Sequence, residues 1–224
     1  MTPTVSGVDQ EPATPVVGFD LDMTLVDSRP GILDTLHALA DEVPGPEAAV
    51  LHEPGLLLTL LRSTLDDVFA LRFPAERATE LADRFRVLYV DVGVPGTTAL
   101  PGALEAVDHV RALGGRCVVV TAKYEPNAHR CLRQVGLEVD AVHGWLHGRA
   151  KAAALQAERA LLYVGDTTSD MEAAHHAGAQ GLAIATGTHD TEALLAAGAR
   201  AVLSSLTEFP GWWDAEAATL GLPD

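Results

Sequence analysis

Cysteine is scarce in this 224-residue chain: there are two, Cys117 in a strand-like run and Cys131 in a helical pattern. They offer neither a disulfide framework nor a zinc-ligand spacing, and they read as buried free thiols of a reducing compartment. Positive charge is scarce as well. Lys plus Arg number 15 against 31 Asp plus Glu, a formal charge of -16 that repels nucleic-acid backbones and anionic membranes. Any phosphate site must therefore rest on local cations, a metal and backbone NH groups. Long hydrophobic runs are missing too. No stretch approaches the roughly 20 apolar residues of a membrane span, and the N-terminus shows no basic segment leading into an apolar core. These absences predict a cytoplasmic protein with no nucleic-acid or membrane partner.

What is present is enough apolar residue, 48%, to build a sizeable core in one domain or in a domain carrying an insertion. Residues 1–14, rich in Pro, Thr and Ser, are expected to be a disordered tail. After Gly96 one phrase repeats: a helical pattern, a glycine, a short apolar strand, a loop. Glycines 114, 136, 178 and 198 stand where left-handed helix caps are wanted. Strands are expected over residues 117–120, 139–142, 160–164, 182–184 and 201–203. Strands alternating with helices predict an α/β fold, a Rossmann-like doubly wound parallel sheet. Between Ser28 and Gly96 the periodicity is helical throughout. Ala78, Leu81, Ala82, Phe85, Leu88, Tyr89 and Val92 form one stripe, read as packing. The expected organisation is an α/β core over residues 15–27 and 97–224, with an α-helical cap inserted over 28–96.

Residues 16–19 form an apolar run that ends in Asp20 and Asp22, with Thr24 two positions on. Strand alternation sends such residues to one side, and paired carboxylates repel unless a cation or a shared proton lies between them. A divalent metal, acid/base chemistry or a simple Asp-rich turn are the readings this spacing allows. Thr121 and Asp166 end two further strand-like runs. In open parallel sheets the ligand site lies beyond the carboxyl ends of the strands, where all of these residues fall.

Taken together, Asp20-Leu21-Asp22-Met23-Thr24, Thr121-Ala122-Lys123, Lys151 and Gly165-Asp166-Thr167-Thr168-Ser169-Asp170 resemble the motifs of the haloacid dehalogenase (HAD) superfamily. The inserted segment, with Gly55-Leu56, Phe85-Arg86-Val87-Leu88-Tyr89 and Leu100-Pro101-Gly102, is similar to the cap of its phosphoglycolate phosphatase-like branch. The resemblance implies a Mg2+-dependent phosphatase acting on a small phosphorylated metabolite, as a monomer or homodimer. It implies Asp20 as the nucleophile that forms an aspartyl-phosphate, and Asp22 as general acid and then base. Thr121 and the Ala122 NH would bind the phosphoryl group, with Lys151 neutralising charge and Lys123 as the runner-up cation. The metal would be held by Asp20, the Asp22 backbone carbonyl and Asp166; Asp170 is either an outer metal-site residue or the lysine's partner. Two departures stand out: Met23 replaces the glycine usual between the second Asp and Thr, and Lys151 lacks the proline that often follows. A phosphomutase of the same superfamily and a non-catalytic phospho-ligand-binding module are the alternatives.

Other polar and aromatic residues read more plainly. His175-His176 are expected to be incidental, and Trp212-Trp213 to pack against the core or a second subunit. His52, Arg62 and Arg72 in the inserted segment are polar enough to read a remote anionic group of a substrate.

Overall fold

The computed structural model describes residues 14–220, so that residues 1–13 of the expected tail lie outside the described residues. Among the described residues there are eight strands: β1 (Val16–Phe19), β2 (Val26–Asp27), β3 (Thr98–Ala99), β4 (Arg116–Val120), β5 (Ala141–His143), β6 (Leu162–Gly165), β7 (Gln180–Ile184) and β8 (Ala201–Leu203). Six of them form one parallel sheet in the order β5-β4-β1-β6-β7-β8. The fold is α/β with a Rossmann-like core, as the sequence predicts.

Its interior follows from strand alternation. Val17 and Phe19 enter one apolar cluster with Val119, Leu162 and Val164, while Val16 enters the other with Val118, Val120 and Tyr163. Both faces of the sheet are thus covered, which is why its strands are apolar at successive positions. Helices α6 (Ala103–Ala112) and α7 (Glu125–Gln134) supply the first face, together with α11 (Phe209–Leu220); α8 (Arg149–Glu158) and α9 (Thr168–Ala177) supply the second. The short α10 (Thr191–Ala196) leads into β8. Trp213 is fully buried beside Phe209 and His109, which bears out the packing reading of the tryptophan pair. Cys117 and Cys131 are buried and free.

All four expected cap glycines have positive φ, between 72° and 100°. A fifth left-handed helix end went unforeseen, because Arg159 rather than glycine adopts φ 56° after α8. That turn, closed by the Ala160 amide donating to the Leu155 carbonyl, keeps residue 160 in the helix end, and β6 starts at Leu162. Likewise β5 starts at Ala141 rather than 139, because Asp140 is engaged with the backbone of Cys117 through both its NH and its carboxylate.

Between β2 and β3, which pair antiparallel, the chain folds into α1 (Arg29–Ala40), α2 (Gly45–Leu51), α3 (Leu56–Leu60), α4 (Leu65–Ala70) and α5 (Ala75–Asp91). The stripe expected on α5 faces inward: Ala78, Leu81, Ala82, Phe85 and Tyr89 are buried, and Leu88 packs against the same cluster. Phe69, Phe73 and Phe85 stack edge to face within it. Among the described residues no helix is long and apolar enough to cross a membrane.

Candidate active site

The sheet changes direction of travel at β1, which has β4 on one side and β6 on the other. Asp20, Thr121 and Asp166 follow the last residues of these three adjacent strands, so all three are brought to one end of the sheet, where Asp20 and Thr121 line a crevice. Each is buried: Asp20 is 7% exposed, Thr121 1% and Asp166 3%.

After β1 the chain turns sharply. The amides of Leu25 and Val26 both donate to the Leu21 carbonyl, and Met23 sits in the left-handed region at φ 64°. That backbone explains why glycine suits the position; here a methionine takes the strain and is itself buried, at 2% exposure. The turn swings Thr24 inward, where its hydroxyl donates to Asp166 Oδ1 at 3.3 Å. The loop after β7 closes over the other Asp166 oxygen. A Cβ on Gly187 would lie 1.8 Å from Asp166 Oδ2, so this position admits only hydrogen.

Two lysines divide the carboxylates between them. Lys151, buried at the start of α8, donates to Asp20 Oδ1 at 2.9 Å and to Asp170 Oδ1 at 2.7 Å. Lys123 donates to Asp22 Oδ1 at 2.9 Å and lies 4.5 Å from the centre of the Tyr89 ring. Asp170 is also the third residue of α9 and completes a capping box with Thr167: its Oδ2 accepts from the Thr167 amide at 3.1 Å and hydroxyl at 2.6 Å. Both oxygens of Asp170 are therefore engaged, one by the lysine and one by the helix cap. Thr121 Oγ1 accepts from the Lys123 amide at 3.2 Å, which leaves its hydroxyl proton to donate elsewhere.

The electrostatics follow from burial and crowding. Burial pushes the Asp20 carboxyl up to about 7, with the Asp170 and Asp22 carboxylates adding to the effect and Lys151 opposing it. Asp166 is held well above the usual carboxylate range, first by burial and then by Asp170 and Asp20. Burial also acts on Lys151 and Asp170, but their mutual attraction outweighs it, raising the lysine and lowering the aspartate. One oxygen each of Asp20, Asp166 and Asp170 lies within 4.8 Å of the others. An all-oxygen donor set, in which burial and crowding hold the Asp20 and Asp166 carboxyls above their usual range beside the ionised Asp170, fits a hard divalent cation such as Mg2+.

The crevice opens toward the inserted helices, whose Leu60, Leu61, Leu65, Phe85 and Tyr89 form an apolar wall opposite the carboxylates. Helices and core are tied at its rim. Arg62 donates to the Thr188 hydroxyl at 2.7 Å, and the Trp145 indole donates to Asp66 Oδ2 at 2.8 Å. Arg86 pairs with Asp66 and Asp83 and lies over the Tyr124 and Trp145 rings. Of the three polar residues singled out in this segment, Arg62 lines the crevice, whereas His52 stacks on His37 and Arg72 caps the Val68 carbonyl. His175 and His176 are exposed on α9. The rim contacts of Trp145, Tyr124 and Arg86 escaped sequence reasoning, because residues 66 and 145 meet only in the fold.

The haloacid dehalogenase-like hydrolase family matches residues 17–175, most of the chain. The chain belongs to that family. A second, HAD-hydrolase-like family matches residues 143–209. The chain is 31% identical over 216 residues to the phosphoglycolate phosphatase of Rhodospirillum rubrum, covering 87% of this chain and 88% of that one. It is 33% identical over 179 residues to the phosphoglycolate phosphatase of Cereibacter sphaeroides, covering 73% and 82%. A haloacid dehalogenase-like family protein from Streptococcus pneumoniae shares the fold, with TM-score 0.72 and 23% identity over 89% of this chain and 98% of that one. The protein is accordingly an enzyme of the HAD-like phosphatase class.

Proposed function

We propose that this HAD-like phosphatase hydrolyses a phosphomonoester of a small metabolite in two steps through an aspartyl-phosphate on Asp20. The observation that carries the reading is the meeting of Asp20, Thr121 and Asp166 at three adjacent strand ends, with the Lys151 ammonium 2.9 Å from Asp20 Oδ1. In this account Asp20 attacks phosphorus and the P–O bond to the alcohol breaks. Asp22, oriented by Lys123, gives a proton to the departing oxygen and later takes one from the water that cleaves the mixed anhydride. Thr121 donates its hydroxyl proton to a phosphoryl oxygen beside the Ala122 NH, and Lys151 faces the charge that spreads over the equatorial oxygens. Asp170 holds Lys151 in place and anchors α9.

Asp20, Asp166 and the Asp22 backbone carbonyl would hold Mg2+, with Asp170 outside them because its oxygens are engaged. When bound, the ion supplies positive charge that keeps crowded carboxylates ionised and screens them from an incoming phosphate. Residues 28–96 serve as a cap that closes the crevice and keeps bulk water from the anhydride. Phosphoglycolate, the substrate in the names of the relatives, is the first candidate here.

The test is phosphate release by purified protein with Mg2+ from p-nitrophenyl phosphate, phosphoglycolate and a panel of sugar and nucleotide phosphates. Turnover that requires Mg2+ and vanishes in Asp20→Asn is expected. A protein inert toward every member would instead be a phospho-ligand-binding module.

A further inference from the structure

Strand β6 is aliphatic apart from one residue, Tyr163, which is fully buried yet carries a hydroxyl. That hydroxyl does not stay on its own strand. Tyr163 pairs in register with Gly18 of β1, and a Cβ on Gly18 would meet the Tyr163 ring at 2.9 Å and Leu155 at 2.6 Å. The missing side chain is the passage through which the ring crosses β1. Its hydroxyl reaches β4, two strands away, and donates to the Val120 carbonyl at 2.7 Å. Val120 immediately precedes Thr121. The same oxygen lies 3.3 Å from Asp170 Oδ1, the atom that accepts from Lys151, and the Lys151 ammonium is 5.7 Å from the centre of the Tyr163 ring.

We propose that Tyr163 is a positioning residue: one hydroxyl, carried beneath Asp20 through the gap at Gly18, fixes the Lys151–Asp170 pair relative to the strand end that presents Thr121. Without it the lysine and the threonine, which contact different oxygens of one phosphoryl group in the proposed mechanism, are set by separate elements, α8 and β4. A lone hydroxyl would be a costly way to fill this space, since a phenylalanine ring packs equally well. A buried carbonyl left without its donor costs stability too, so a structural role predicts a loss of folding stability and nothing more. A positioning role predicts a selective loss in the transition state, where alignment counts most.

The inference rests on the phosphatase reading, and the experiment separates the two. Wild type and Tyr163→Phe are compared with Mg2+ and p-nitrophenyl phosphate, using orthovanadate as a trigonal-bipyramidal mimic and inorganic phosphate as a ground-state one. The expected result is kcat lower by about tenfold, KM within about twofold, vanadate inhibition weakened by about tenfold and phosphate inhibition unchanged. Unchanged kcat and vanadate affinity overturn the inference alone, and so does an equal weakening of vanadate and phosphate. Inactive wild-type protein overturns the phosphatase reading and takes this inference with it.

If Tyr163→Phe does not fold, the wild-type sequence labelled with 3-fluorotyrosine gives the answer, because the chain has only three tyrosines. The signals of Tyr89 and Tyr124 are assigned by their own Phe variants. A Tyr163 resonance that shifts when vanadate joins Mg2+ supports the proposal, and one that stays put overturns it.

Discussion

Asp20 occupies a place where burial and two carboxylates oppose its charge while one ammonium supports it, so its carboxyl rises from 3.8 to about 7. The folded chain therefore binds this proton more tightly than the unfolded chain does. Stability gained that way is complete below the unfolded value and lost as pH rises through about 7, and Asp166 adds a contribution of the same sign. Metal-free protein should show a urea midpoint that falls between about pH 4 and pH 7, with a smaller fall in Asp20→Asn. A midpoint that rises across this range in wild type contradicts the crowded-carboxylate account. Gly187 makes a sharper claim, because its missing side chain is where Asp166 lies. Gly187→Ala should displace Asp166 and lower kcat/KM by at least about tenfold, while circular dichroism stays native. Met23 sets two terms against each other. Relief of the left-handed backbone is worth about 1–2 kcal/mol, and deletion of a buried methionine side chain costs about 2–5 kcal/mol. Met23→Gly is thus expected to destabilise, by about 1–3 kcal/mol in urea unfolding, and a stabilised variant would show that the strain dominates.

Elements place these residues by their ends. Strands β1, β4 and β6 deliver Asp20, Thr121 and Asp166, α8 begins with Lys151 near its first turn, and α9 opens on the Thr167–Asp170 capping box. The inserted helices meet this platform at the rim, through Asp66 with Trp145 and through Arg62 with Thr188. Trp145 is 52% exposed, so its loss should barely move the melting temperature. Closure is another matter. Trp145→Ala should lower kcat/KM severalfold, because the substrate must then close the cap without that contact. Unchanged steady-state kinetics in Trp145→Ala would mean that the rim does not govern closure.

At the scale of the whole molecule, the strand order turns at β1, and the site sits at that turn because only there do neighbouring loops diverge enough to leave a crevice. Much of this was legible in the chain. Apolar runs 117–120 and 182–184, and glycines at helix ends, are local signals, so the parallel sheet could be read from them. Asp20, Thr121 and Asp166 could be picked out because each follows a strand-like run, and Lys151 because of its order among the motifs and its place at the start of the helix before the Asp166 strand. What could not be read depends on separation. The two-residue pairing of β2 with β3 joins positions about seventy apart and has no periodicity of its own. The choice between Lys151 and Lys123 beside Asp20 turned on which helix or loop carried each ammonium, and the fold brings Lys151 to Asp20 and Lys123 to Asp22. Tyr163 looked like an ordinary strand aromatic, since its reach across Gly18 exists only once β1 lies between β4 and β6.

The central claim is that Asp20 carries the phosphoryl group during turnover. Its most direct measurement is acid quench of the working enzyme within its first turnovers, followed by peptide mapping by mass spectrometry. The account predicts a phosphoryl group on Asp20 in wild type that disappears as substrate is exhausted, and none in Asp20→Asn. An active enzyme whose Asp20 peptide stays unmodified at every quench time, with and without trapping by beryllofluoride, would contradict it.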